Sequence, residues 1–199
     1  MTDAASTVYI VDDDRAVRLS LAALLKAHGF MREVFASAAA FLDALTADSD
    51  GCVVLDVRMP GMSGLDLQRR LAKDGVPLPV IIISGHGDIP MAVEAMRVGA
   101  VDFLEKPCPP ERVLSAVRQA LEDRGKPDRG LVPPAEVAER LERLTPRERE
   151  VLDHLILGKI NKVIARDLGI SQRTVEIHRA RIKEKLEAPS LADLIRMML

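Results

Sequence analysis

Aromatic residues and cysteine are scarce in this chain of 199 residues, which has no tryptophan, one tyrosine, four phenylalanines and two cysteines. The two cysteines, Cys52 and Cys108, can form neither a disulfide framework nor the ligand set of a zinc site. Cys52 lies within an apolar run, so we expect it to pack as a small apolar side chain.

Long hydrophobic segments are also missing. No uninterrupted apolar run approaches the roughly 18 residues that a membrane-spanning helix needs. The first residues lack the basic and then apolar pattern of a signal peptide. Because 48% of the residues are hydrophobic, the chain can still bury a core. We therefore expect a soluble, cytoplasmic protein with no membrane partner.

Charges of the two signs are unevenly distributed, although the net charge is only −2. Residues 1–123 contain 12 Lys and Arg against 18 Asp and Glu, whereas residues 124–199 contain 16 against 12. Within residues 159–185 the counts are 8 basic and 3 acidic. This asymmetry favours an acidic module joined to a smaller module with an anionic partner, although a solvated basic face would have the same composition.

Apolar runs that are typical of strands alternate with helical patterns as far as residue 122. The runs, each bounded by turn residues, are 8–11, 31–35, 52–55, 80–83 and 101–104. Five β–α units in series predict a doubly wound parallel α/β sheet with helices on both faces. A charged segment rich in Gly and Pro follows. We predict one domain over 1–122, a linker with a short helix over 123–143, and a small all-α domain over 144–199.

Polar side chains stand at the ends of four of the predicted strands: Asp12 with Asp13, Asp56, Ser84 and Lys106. The carboxyl ends of parallel strands meet at one edge of a sheet, where such folds bind ligands. Two or three carboxylates suit Mg²⁺, and a hydroxyl and an ammonium group can bind further phosphoryl oxygens. The set predicts a site for Mg²⁺ and a phosphoryl group, whereas any one of these acids alone would be an ordinary solvated loop residue.

Three motifs at these positions resemble the receiver domain of bacterial two-component response regulators. They are Val11-Asp12-Asp13-Asp14, Leu55-Asp56-Val57-Arg58-Met59-Pro60-Gly61-Met62-Ser63-Gly64 and Glu105-Lys106-Pro107. The resemblance covers residues 1–122 and implies that Asp56 accepts a phosphoryl group. It implies that Mg²⁺ is bound by Asp12, Asp13, Asp56 and the carbonyl of Arg58, with Asp12 acting mainly through water. It further implies phosphoryl contacts from Ser84 and Lys106, an aromatic switch at Phe103 and a cis peptide bond before Pro107.

Helix signals dominate the C-terminal part of the chain. Thr145 to Glu148 form a capping box with proline at the first helical position. We expect Asn161 to cap a helix through Leu168, Gly169 to make a turn, and Ser171 to cap a longer helix through Leu186. A helix, a tight turn and a longer helix make the helix-turn-helix plan, in which the second helix enters the major groove of DNA.

Projecting the second helix at about 100° per residue gives it a buried face and an exposed face. Val175, Ile182 and Leu186 fall on the buried face. The residues predicted to reach base edges are Arg173, Glu176, Ile177 and Ala180, and Thr174 is a further predicted DNA-binding residue. The residues predicted to contact DNA phosphates are Lys162, Arg166, Arg179, Arg181 and Lys183. A generic helical hairpin with a basic surface would share this topology.

Further motifs resemble the DNA-binding domain of LuxR- and NarL-type regulators. They are Leu144 to Leu152, Asn161 to Ala165 and Thr174 to His178, within a resemblance that runs from Leu144 to Met198. Glu176 departs from relatives that have lysine there, so a target sequence cannot be transferred. Residues 85–96 and 99–107 resemble the FixJ-type subgroup in particular.

The combined resemblance implies a response regulator that acts as a transcription factor. A histidine kinase would phosphorylate Asp56 in the presence of Mg²⁺, and Val93 and Arg97 would lie in a homodimer interface. Promoter DNA and RNA polymerase are the further expected partners, and no enzymatic activity beyond slow autodephosphorylation is expected. A phosphorylation-independent regulator with an inert receiver is the alternative. A phosphohydrolase of the haloacid dehalogenase type would need a second acid two residues after Asp56, where Arg58 stands.

Overall fold

The computed structural model describes residues 6–85, 89–122, 124 and 133–198. These residues divide into two compact units. The first contains the described residues up to 85, residues 98–122 and Arg124, and the second contains residues 89–97 and 133–198. None of the helices in these ranges is long and apolar enough to span a membrane.

Five parallel strands form the sheet of the first unit, in the order β2-β1-β3-β4-β5. They are β1 (Thr7–Val11), β2 (Met31–Phe35), β3 (Gly51–Asp56), β4 (Val80–Ser84) and β5 (Asp102–Glu105). The helices between and after the strands are α1 (Arg15–Ala27), α2 (Ala38–Ala44), α3 (Gly64–Lys73), α4 (Ile89–Arg97) and α5 (Pro110–Glu122). This architecture confirms the predicted doubly wound α/β fold.

Successive strand residues point to opposite faces of the sheet, and helices pack on both faces. Val8, Ile10 and Cys52 belong to a buried cluster that includes residues of α1 and α5. Tyr9 points the other way, and its ring lies 5.6 Å from that of Phe41 in α2. Cys52 has no exposed surface, and burial raises the pKa of its thiol to about 12. It packs as a small apolar side chain, as predicted.

The second unit contains α4 and five further helices. These are α6 (Pro134–Glu142), α7 (Pro146–Ile156), α8 (Asn161–Leu168), α9 (Gln172–Lys185) and α10 (Leu191–Met198). Helix α6 lies within the segment for which a short helix was predicted. The rest of that segment lies largely outside the described residues, and the predicted domain limits stay a prediction.

Helices α8 and α9 confirm the predicted helix-turn-helix. Gly169 ends α8 with a φ of 65°, a left-handed conformation that glycine adopts without strain. Ser171 then caps α9, because its Oγ accepts a hydrogen bond of 3.0 Å from the backbone N–H of Thr174. Ile164 of α8 and Val175 and Ile182 of α9 are fully buried. Packing of these apolar faces fixes the angle between the two helices.

The prediction that Asn161 caps α8 is wrong. Ile160 holds the N-cap position without a side-chain hydrogen bond, and Asn161 is the first residue of the helix. The Asn161 Oδ1 instead accepts a hydrogen bond of 2.8 Å from Nη1 of Arg179. The amide side chain therefore joins α8 to α9 and is not available to cap its own helix.

Candidate functional site

Acidic side chains meet the other predicted phosphoryl-site residues at one edge of the sheet. Asp12 directly follows β1, Asp56 ends β3, Ser84 ends β4 and Lys106 directly follows β5. Strand order reverses between β1 and β3, which is where open α/β sheets form a crevice for ligands. Asp12, Asp56 and Ser84 are 2%, 7% and 1% exposed. Carboxylates as deeply buried as these require polar partners.

Lys106 is the shared partner of the two buried carboxylates. Its Nζ donates to Oδ2 of Asp12 at 2.6 Å and to Oδ1 of Asp56 at 2.6 Å. The peptide bond between Lys106 and Pro107 is cis, as the resemblance implied. The backbone N–H of Lys106 donates to the carbonyl of Ser84 at 2.7 Å, which continues the pairing of β4 with β5.

The remaining oxygens of both carboxylates are bound by backbone groups. The N–H of Asp14 donates to Oδ1 of Asp12 at 2.8 Å, and the N–H of Arg58 donates to Oδ2 of Asp56 at 2.6 Å. Nη1 of Arg18 donates to the Asp12 carbonyl at 2.6 Å. Sequence reasoning missed Arg18, because nothing in the pattern of α1 shows that its side chain turns back toward β1.

Burial and pairing act in opposite directions on the ionisation of this cluster. Burial raises the pKa of Asp56 above its usual value, and the hydrogen bond from Lys106 opposes this effect only in part. For Lys106, burial disfavours the charged form, but the bonds to Asp12 and Asp56 outweigh it and raise the pKa of the ammonium group. Lys106 therefore stays charged at neutral pH and stabilises the carboxylates facing it.

The oxygen atoms of the acidic cluster are of the kind that binds a divalent cation such as Mg²⁺. Carboxylate oxygens of Asp12 and Asp56 already converge on one positive group, and Asp13 is exposed beside them. The Lys106 ammonium group lies between the two carboxylates, and within the described ranges no three His, Cys, Asp or Glu side chains are grouped to hold a metal ion. Mg²⁺ would be held by Asp12, Asp13, Asp56 and the Arg58 carbonyl, and it would neutralise phosphoryl oxygens. Binding would require Lys106 to withdraw from at least one carboxylate.

Two predicted switch residues lie on β4 and β5. Ser84 is almost fully buried, and Phe103 in β5 is 7% exposed. The backbones of β4 and β5 are paired here, with Ile82 opposite Phe103 and Ser84 opposite Glu105. The two residues therefore lie on neighbouring strands, and Ser84 directly follows Ile83, the residue of β4 that is opposite Asp56.

The predicted dimer residues are differently exposed. Val93 in α4 is only 3% exposed, and Nη2 of Arg97 donates to the carbonyl of Ile156 at 3.2 Å. Val93 was expected on a free surface, but it is buried, and α4 packs against α10 within the second unit. An interface through Val93 would therefore require α4 to be uncovered, and it stays a prediction.

A second candidate site is the exposed surface of α8 and α9. Most of the predicted DNA-contacting side chains are exposed, namely Lys162, Arg166, Arg173, Glu176, Ile177, Ala180, Arg181 and Lys183. Thr174 and Arg179 are half-buried, and Arg179 is bonded to Asn161. Arg166 donates to the neighbouring Asp167 at 3.0 Å, so part of its charge is balanced in the free protein. His178 of α9 is half-buried.

The C-terminal end of α9 is fixed by charged contacts that the sequence did not reveal. Glu148 is 2% exposed, completes the predicted capping box with Thr145, and accepts from Nζ of Lys185 at 2.7 Å. Burial alone would raise the pKa of Glu148, but the bonds from Lys185 and Thr145 outweigh it and hold that pKa below its usual value. The buried pair thus joins the start of α7 to the end of α9.

Comparison with known families identifies both modules. The model described as response regulator receiver domain matches residues 8–118, and the model described as bacterial regulatory proteins, luxR family, matches residues 142–198. The chain belongs to the response regulators. As a response regulator it combines a receiver domain with a LuxR-type helix-turn-helix domain, as the sequence motifs predicted.

Similar proteins match this chain over nearly its whole length. The transcriptional regulatory protein FixJ of Bradyrhizobium diazoefficiens is 46% identical over 190 residues, which cover 96% of this chain and 93% of that protein. The response regulator protein TodT of Pseudomonas putida is 45% identical over 197 residues, covering 99% and 87%. The crystal structure of full-length FixJ from B. japonicum matches with a TM-score of 0.58 and 45% identity, covering 96% and 95%. The FixJ-like assignment is thereby confirmed.

Proposed function

We propose that Asp56 accepts a phosphoryl group from a histidine kinase and that this modification controls DNA binding by the second unit. The observation that carries the proposal is the bonding of Asp56: its carboxylate lies in a crevice, 2.6 Å from a lysine ammonium group. That environment provides a nucleophile and a positive group for phosphoryl oxygens on the same edge of the sheet.

In the proposed transfer, a carboxylate oxygen of Asp56 forms a bond to phosphorus while the bond from phosphorus to the kinase imidazole breaks. The imidazole leaves with its electron pair and is then protonated. Lys106 and Ser84 bind the transferred oxygens, and Mg²⁺, which Asp12, Asp13, Asp56 and the Arg58 carbonyl would hold, would supply the remaining positive charge. No turnover of a substrate is part of this function; slow hydrolysis of the phosphoaspartate resets the protein.

The proposed readout is dimerisation followed by promoter binding. Ser84 would move toward the phosphoryl group and Phe103 would follow it, which changes the surface around α4 and β5. Two copies joined there would place two α9 helices on half-sites about one turn of DNA apart. The exposed basic side chains of α8 and α9 support the DNA-binding step, which takes place in the cytoplasm and is expected to recruit RNA polymerase.

Phosphorylation is tested by incubating the protein with Mg²⁺ and a small phosphodonor such as acetyl phosphate. Intact-mass measurement should show the addition of one phosphoryl group to the wild type and none to Asp56→Ala. Asp50→Ala is a matched control, because Asp50 is an exposed acid that pairs with Arg124 away from the crevice. Equal modification of the wild type and Asp56→Ala would overturn the assignment of the phosphoacceptor.

A further inference from the structure

Helix α9 presents an acidic and an apolar side chain in the middle of its otherwise basic exposed surface. Glu176 is exposed, and Ile177 is 42% exposed although it is a large apolar residue. They are surrounded by three exposed basic side chains, those of Arg173, Arg181 and Lys183. A surface that only attracted phosphates would gain nothing from either residue, because a carboxylate repels phosphate and an isoleucine makes no ionic contact.

Arg173 and Glu176 form a pair in the free protein. Nη1 of Arg173 lies 3.2 Å from Oε2 of Glu176, with the two side chains 81% and 50% exposed. An ion pair as exposed as this one contributes little to stability. Its consequence is geometric, because it keeps an acceptor and a donor side by side on the outward face.

The four outward residues form one continuous strip. Arg173, Glu176, Ile177 and Ala180 lie within about 100° of the helix circumference, at about 100° of rotation per residue. Ala180 lies at the C-terminal end of the strip, near the centre of its angular width, and has only a methyl group, so the helix can approach the base edges closely there. The strip is about 10 Å long, which corresponds to roughly three base pairs.

We propose that, within this strip, Glu176 accepts a hydrogen bond from a cytosine amino group and Ile177 contacts a thymine methyl group. This inference rests on the proposed function. In the major groove, cytosine presents an N4 amino donor that a carboxylate can accept, and thymine presents a methyl group that apolar side chains contact. Arg173, released from Glu176, donates to the guanine of the same or the adjacent pair. Arg181 and Lys183 lie on opposite sides of the strip and bind phosphates on the two walls of the groove.

Selection from a random duplex library tests the proposal, using the full chain with Mg²⁺ and beryllofluoride, which mimics the phosphoryl group. The wild type should enrich half-sites with a cytosine and a thymine within three successive base pairs. Glu176→Gln should change the preferred cytosine to adenine, because glutamine pairs with the N6 and N7 atoms of adenine. Lys183→Ala is the control and should enrich the wild-type motif with weaker binding.

Ile177 is tested on the selected site with thymine replaced by uracil, which removes only the methyl group. The replacement should weaken wild-type binding about five-fold and leave Ile177→Ala unaffected. The proposal is overturned if Glu176→Gln and Ile177→Ala enrich the same motif as the wild type. If the wild type itself enriches no motif, sequence-specific DNA binding fails as well, so the two failures are distinguishable.

Discussion

The ammonium group of Lys106 donates a hydrogen bond of 2.6 Å to the carboxylate of Asp56, which is only 7% exposed. The same nitrogen bonds to Asp12 at the same distance. One lysine therefore pairs with two buried acids at the place where the phosphoryl group is proposed to bind. Stability and chemistry of the site should respond together when this lysine is changed.

Lys106→Met is expected to lower the free energy of unfolding of the first unit by about 3 kcal/mol, because it leaves two buried carboxylates without their cation. Added Mg²⁺ should restore part of this loss, because the metal ion can take the place of the lysine ammonium group between the two carboxylates. The only tyrosine, Tyr9, is buried in the first unit, so tyrosine fluorescence during urea unfolding reports on this unit. Lys73→Met, at an exposed helix end, is the control. Equal stability of the wild type and Lys106→Met would contradict the role given to the pair.

Gly64→Ala should disturb the backbone of Asp56, the proposed phosphoacceptor. A Cβ at position 64 would lie 2.0 Å from the backbone carbonyl oxygen of Asp56, so the start of α3 and the end of β3 would have to separate. We expect a loss of roughly 2 kcal/mol and slower modification by acetyl phosphate. Gly75→Ala meets no atom within 4 Å and has a φ of +68°, so it should lower stability through backbone strain alone and leave the modification rate unchanged. Normal modification of Gly64→Ala would show that the close approach does not position Asp56.

Glu148→Gln should destabilise the second unit by about 2 kcal/mol at neutral pH, because Lys185 and the N–H of Thr145 lose a charged acceptor. The pKa of Glu148 is lowered in the folded state, so its contribution is fully present above the unfolded value of about 4.5 and is lost as pH falls through the folded value. The difference in stability between wild type and variant, followed by far-UV circular dichroism, should shrink on acidification. Glu150→Gln, which removes an exposed pair with Arg147, should cost less than about 0.5 kcal/mol. A difference that grows toward acid pH would refute the lowered pKa.

Glu187 combines backbone strain with favourable charge contacts. Its φ is 54°, and its carboxylate pairs with Arg140 at 3.1 Å and Arg143 at 2.9 Å. Glu187→Ala loses the pairs and keeps the strain, whereas Glu187→Gly loses the pairs and relieves the strain. The glycine variant should therefore be more stable than the alanine variant by about 1 kcal/mol in thermal unfolding. Identical stabilities would mean that the left-handed conformation at this position costs nothing.

The sequence was sufficient to predict the sheet and the gathering of acids at one edge of it. Parallel strands must bring their carboxyl ends together, so Asp12, Asp56 and Lys106 could be assigned to one site without coordinates. It could not show that Lys106 bridges both carboxylates, since that bond depends on side-chain conformations of residues 94 and 50 positions away.

In the second unit, too, features with local sequence signals could be predicted, whereas contacts between distant residues could not. The turn at Gly169 follows from local signals, whereas the pair Glu148–Lys185 joins residues 37 positions apart and leaves no local pattern. The Asn161 prediction failed because an N-cap signal is local and the competing bond to Arg179 is tertiary. The Arg173–Glu176 pair has the spacing of neighbours on a helix and could have been predicted.

Solution mass by light scattering, with and without Mg²⁺ and beryllofluoride, tests the central claim most directly. The account predicts that the wild type changes from monomer to dimer only when both are present, and that Asp56→Ala stays a monomer under all conditions. No change in the wild type, or the same change in Asp56→Ala, would contradict phosphoryl-driven dimerisation through Asp56.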